Sequence, residues 1–90
     1  MKKYHVRFSG FAKKQLRKLD KHIAFLLISW LEKNVDGASD SRQHGKALAA
    51  NHAGKWRYRV GEYRILAEIQ DETVTVLVVE LGHRREVYSK

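Results

Sequence analysis

The stretch from Lys55 to Ile69 reads KWRYRVGEYRILAEI, and its strict alternation constrains this chain more than any other segment. Side chains two apart on a strand share a face, so Trp56, Tyr58 and Val60 point one way and Arg57 and Arg59 the other. Gly61-Glu62 suits a two-residue type II′ turn with glycine at its first central position. That turn pairs Val60 with Tyr63 and Arg59 with Arg64, which adds Tyr63, Ile65 and Ala67 to the apolar side. Arg57, Arg59 and Arg64 crowd together on the other. Like charges directly opposite each other destabilise a sheet, so a chain that builds such a cluster has a polyanion to place on it. Nucleic acid fits that requirement.

Composition supports the same direction. Eighteen Lys+Arg against ten Asp+Glu leave a formal charge of +8, which concentrates anionic partners near the surface. Ninety residues suffice for one domain, residues 1–90, with a single modest core. Without cysteine the chain has no disulfides, no thiolate nucleophile and no cysteine-ligated zinc. His44 and His52 lack any metal-ligand spacing, and no Gly-rich phosphate loop or Ser-His-Asp set is present, so neither a metal nor a cofactor is expected. The first residues contain no continuous apolar block of the secretory kind, and Ile23 to Leu31 is about half the length that crosses a bilayer. The expectation is a cytoplasmic protein with no membrane partner.

Tyr4 to Phe8 alternates and reads as a first strand with Tyr4, Val6 and Phe8 inward. Ser9 is placed to cap a helix carrying Phe11, Ala12, Leu16 and Leu19, and Asp20 to cap a second with Ile23, Leu26, Leu27, Trp30 and Leu31 on one stripe. Ser41 to Ala50 reads either as a short helix or as a connection pinned by Leu48. Strands follow at about 55–60, 62–69 and 72–80, with Gln70-Asp71 turning between the last two. The last strand is apolar on both faces and belongs inside the sheet. The fold class is therefore α+β: an N-terminal strand, a helical hairpin, then a three-stranded antiparallel meander completing one small sheet.

The tail after that strand, LGHRREVYSK, carries the remaining chemistry. Gly82 frees the backbone to turn, which would bring His83, Arg84, Arg85 and Tyr88 beside Arg57, Arg59 and Arg64. Guanidinium groups grip phosphate bidentately and tyrosine stacks on a splayed base. RNA brings its own nucleophile, the 2′-hydroxyl, so a ribonuclease must align it, stabilise charge on phosphorus and protonate the leaving oxygen. Arginine suits the second task and is a poor base. His83 is the candidate acid or base. Lys55 and Arg85 flank the cluster as further RNA-binding positions. The bland readings are a solvated basic surface, a core role for Trp56 and Tyr58, and a packing role for Tyr88.

Taken together, KWRYRVGEYRILAEI and VTVLVVELGHRREVY resemble the RelE/ParE toxin superfamily of bacterial toxin–antitoxin modules. The likeness extends over nearly the whole chain through the early strand, the helical hairpin and the GKAL segment. It implies the RelE-like toxin fold. For the RelE-like branch, favoured here, it implies a cofactor-free mRNA interferase that cuts messenger in the ribosomal A site and so inhibits translation. Carried over residue by residue, it puts the catalytic work on Arg57, Arg59, Arg64, Arg84 and Tyr88. Arg64 would stabilise the phosphorane, Arg84 act on the leaving group and Tyr88 orient the nucleotide. The implied partners are an acidic, RelB-like antitoxin that folds on binding and operator DNA reached through the toxin–antitoxin complex. The ParE-like branch would instead inhibit DNA gyrase on the same scaffold, and a non-catalytic nucleic-acid-binding module is the third reading.

Overall fold

Polar side chains set the helix starts in this chain. In the computed structural model, which describes residues 3–48 and 54–85, Ser9 Oγ accepts from the Ala12 N–H at 3.1 Å and Asp20 Oδ1 from the His22 N–H at 2.9 Å. These caps open α1 (Gly10–Lys18) and α2 (Lys21–Asn34), as the sequence indicates. Ser9 also ties the start of α1 to the sheet, its N–H donating to the Val78 carbonyl at 2.8 Å. The strands are β1 (His5–Phe8), β2 (Lys46–Ala47), β3 (Trp56–Val60), β4 (Tyr63–Gln70) and β5 (Thr75–His83). They form one five-stranded sheet in the order β1-β5-β4-β3-β2, with β1 parallel to β5 and the other pairs antiparallel. The expected α+β architecture and the interior place of the last strand are both present.

The helices cover one face of the sheet. Leu27 and Leu31 of α2 and Ala12 of α1 join Tyr58, Val60, Ile65, Ala67, Val76, Val78 and Leu81 in the core. Trp56 and Tyr63 pack against it, so the aromatic side of the hairpin faces inward. Two expected inward residues are not there: Phe11 is 51% and Leu26 46% exposed. The buried stripe of α2 centres on Leu27 and Leu31, and Leu26 lies one residue, about a quarter-turn, round the helix from it.

Three features were not legible as read. The segment before β3 is neither a helix nor a plain loop: it supplies the edge strand β2, paired with β3. A 3-10 turn at Asp71–Thr73 replaces the two-residue turn, and β5 begins at Thr75 rather than 72. Finally, Leu66 pairs with Glu80 while Ala67 pairs with Val78, so Val79 is an extra residue in β5. This bulge moves the inward set of β5 from Val76 and Val78 to Leu81 and His83. Without it, Glu80 would face Ile65 in the core and Leu81 would face outward. The cost of burying an unpaired carboxylate explains the slip.

Candidate nucleic-acid interface

Gly61, with φ of 59°, opens a turn whose next residue, Glu62, has negative φ, as type II′ requires. The register that follows is the expected one: Val60 opposite Tyr63, Arg59 opposite Arg64, Arg57 opposite Leu66. Two rows therefore cross the face away from the helices. One runs Gly82, Arg64, Arg59; the other runs Glu80, Leu66, Arg57, Lys46. Lys46 is a cation that the sequence reading missed. Its position depends on Gly45, at φ of 90°, where an added Cβ would stand 2.1 Å from the Arg57 carbonyl oxygen. Only glycine lets β2 come this close to β3, and the glycine before that lysine was the available signal.

This face is not bare. Leu66 is only 2% exposed, so the cations surround a buried apolar floor. Arg57 and Arg64 are half-buried, whereas Arg59 and Lys46 are exposed. Arg57 Nε is buried and has no hydrogen-bond partner among the described residues. A buried donor left in that state costs about 1–3 kcal/mol, and more when charged. Lys55 lies at the lower edge of the cluster in an ion pair with Glu68, 3.2 Å from its Oε2.

The tail divides. Arg84 continues the β4–β5 ladder by one step, its N–H donating to the Glu62 carbonyl at 2.8 Å, and its Nε stands 2.8 Å from Glu62 Oε2. That brings Arg84 to the turn end of the sheet, two register positions beyond the Arg64–Gly82 pair and one beyond Tyr63–His83. Gly82 stays within the strand, and the chain turns only at Arg84-Arg85. His83 is not brought to the arginines. The bulge puts it on the helix-covered face, edge-on to the Tyr63 ring with centroids 5.6 Å apart, and its Nδ1 accepts from the Arg85 N–H at 3.1 Å. Arg85 is exposed, and Tyr88 lies outside the described residues.

Behind the interface a polar strap keeps residues 41–45 on the core. Tyr58 donates from its hydroxyl to the Ser41 carbonyl, and Trp56 from Nε1 to the His44 carbonyl, each at 2.6 Å. Burial pushes the Tyr58 phenol well above its usual value. Arg42 bonds both carboxylate oxygens of Asp71 at 3.0 Å, and the Tyr4 hydroxyl donates to the same carboxylate. Those contacts raise the pKa of Tyr4, through the hydrogen bond first and burial second, and raise that of Arg42 through its bond to Asp71. The strap matters to the interface because it anchors Gly45 and Lys46.

Among the described residues no group of three or more His, Asp or Glu side chains is arranged to hold a metal ion, and no helix is long and apolar enough to cross a membrane. The chain is 31% identical to Toxin RelG of Mycobacterium tuberculosis over 97% of its own length and 98% of that protein. Its structure superposes with a TM-score of 0.84 on a chain of the RelBE2 toxin–antitoxin complex from M. tuberculosis, at 31% identity, covering 96% of this chain and 97% of that one. The isolated RelE toxin of E. coli matches with a TM-score of 0.69 at 26% identity, covering 96% and 92% of the two chains. Residues 6–88 match the model of the ParE toxin of type II toxin–antitoxin systems. Arginine-rich hairpin, helical hairpin and sheet order thus agree with sequence likeness along the whole chain, which belongs to the ParE toxin family of type II toxin–antitoxin systems, within the RelE/ParE superfamily.

Proposed function

We propose that this toxin is an endoribonuclease that cuts mRNA in the ribosomal A site. The observation that carries the reading is the pairing of like charges across three strands, Arg59 with Arg64 and Arg57 with Lys46, on the face the helices leave open. Such pairs oppose folding, and a ribose-phosphate chain relieves them. Arg57, Arg59 and Lys46 hold phosphates, Arg64 stabilises charge on the phosphorus under attack, and Arg84 acts on the leaving oxygen. The 2′-oxygen loses its proton and bonds to phosphorus, the P–O5′ bond breaks, the 5′-oxygen takes up a proton to leave as a hydroxyl, and a 2′,3′-cyclic phosphate remains. None of the arginines accepts the 2′-proton. His83, whose Nδ1 accepts from the Arg85 N–H on the helix-covered face, is poorly placed to do so.

Relatives support the partner as well: the M. tuberculosis match is a chain of a toxin–antitoxin complex. An acidic, RelB-like antitoxin that folds on binding complements the +8 charge, and operator DNA is reached through that complex. The family model's ParE description favours a second reading, inhibition of DNA gyrase. Expression followed by mapping of mRNA 5′ ends separates the two. New ends inside translated codons support the nuclease. Their absence, with cleavage complexes trapped on supercoiled plasmid, replaces it with the gyrase reading.

A further inference from the structure

Glu62 holds Arg84 of the tail to the hairpin by two contacts. Glu62 accepts the Arg84 N–H on its carbonyl and pairs with Arg84 Nε through its carboxylate, both at 2.8 Å. It occupies the second central position of the β3–β4 turn, whose path Gly61 sets. One step further in, Tyr63 and His83 meet ring to edge, and Arg64 faces Gly82. An acidic side chain is a poor neighbour for a phosphate-binding face, because it repels the ligand. What it does to Arg84 depends on which nitrogen it contacts. A contact through Nε leaves the Nη edge of the guanidinium, the fork that matches phosphate geometry, for the ligand.

We infer that Glu62 is a positioning residue, which fixes the Arg84 guanidinium at the Arg59–Arg64 end of the face with its Nη edge toward the reacting phosphate. The inference rests on the nuclease reading and adds to it a residue that touches no substrate atom. Both side chains are more than half exposed, so the pair is screened and its effect is modest. Holding a long side chain in one orientation acts on the rate, whereas removing a negative charge from the face acts on binding. The two effects have opposite signs and can be separated.

The test compares wild type, E62A, E62Q, R84A and the double variant E62A/R84A in single-turnover cleavage of mRNA on programmed ribosomes. E62A is expected to lower the saturating rate about two- to fivefold, the size an exposed ion pair commands. Its half-saturating concentration should stay level or fall. E62Q keeps an acceptor oxygen in place and retains most of the rate. In the R84A background, removing Glu62 should lower the saturating rate no further, since its effect on the rate acts through Arg84. An E62A rate that rises or holds, or that falls equally without Arg84, overturns the inference while leaving the nuclease intact. A wild type that cuts nothing overturns both. A second arm needs no activity: 15N relaxation of the Arg84 Nε–H in free toxin should show order in wild type and mobility in E62A, and equal order in both refutes the inference.

Discussion

Replacing Arg59 with glutamine is expected to make the fold more stable and the RNA interface weaker. Val60 and Tyr63 close the two-residue turn as a hydrogen-bonded pair, so Arg59 and Arg64 form the adjacent pair that is not hydrogen-bonded. In such pairs the Cα atoms approach to about 4.5 Å and the side chains are at their closest. Guanidinium groups about 6 Å apart repel by about 0.7 kcal/mol in water, and physiological salt removes roughly half of that. R59Q should therefore gain about 0.3 kcal/mol at physiological salt and up to about 0.7 kcal/mol at low salt, within the range known for cross-strand pairs. For a domain of this size that is a rise in Tm of about 1–5 °C. Thermal melts at about 10 mM and about 1 M salt, where the Debye lengths are about 30 Å and about 3 Å, give the control. The gain should vanish at the higher concentration. Binding to a short single-stranded RNA should lose about 0.7 from its salt slope, the share of one phosphate contact. A variant that melts lower than wild type, or a gain independent of salt, refutes the argument that this face is built under electrostatic strain.

Lys46→Ala should weaken RNA binding and flatten its salt dependence by a similar share, as the row Leu66, Arg57, Lys46 requires; unchanged titrations would remove Lys46 from the interface. Arg84→Ala should reduce cleavage about 100- to 1000-fold, as loss of one charge-stabilising donor does. It should shift Tm little, since the ion pair it breaks is exposed, and a large fall in Tm would show that the tail is structural. Tyr58 has its folded pKa raised by burial, so its contribution to stability is intact below the ordinary tyrosine value of about 10 and is lost as pH rises beyond it. Tyr58→Phe should cost about 1–2 kcal/mol at neutral pH, from the orphaned Ser41 carbonyl, and should shallow the alkaline loss seen in melts taken at increasing pH.

How far the sequence could be read depended on whether a segment's pattern was local. Ser9 and Asp20 cap helices through bonds two and three residues away, and both were recognisable from residue type alone. The type II′ turn at Gly61-Glu62 was likewise local, and with it came the register that collects Arg57, Arg59 and Arg64. His83, expected beside the arginines, lies elsewhere for the opposite reason. Its face depends on the bulge at Val79, which lies in the continuous apolar run Val76 to Val79. Such a run carries no alternation to mark an extra residue, so the partner strand decides which residue is left over.

Alternation, turn chemistry and caps by themselves determined the α+β composition, the arginine face and its separation from the aromatic side. Those patterns have periods of two or 3.6 residues and need no knowledge of distant parts of the chain. Tertiary structure alone decided that β1 lies parallel to β5, that Lys46 joins the face beside Arg57, and that Arg84 meets Glu62 while His83 meets the Tyr63 ring on the opposite face. Each of these joins residues far apart in sequence, so it is set by strand pairing and by the cost of burying Glu80, which a local pattern does not encode.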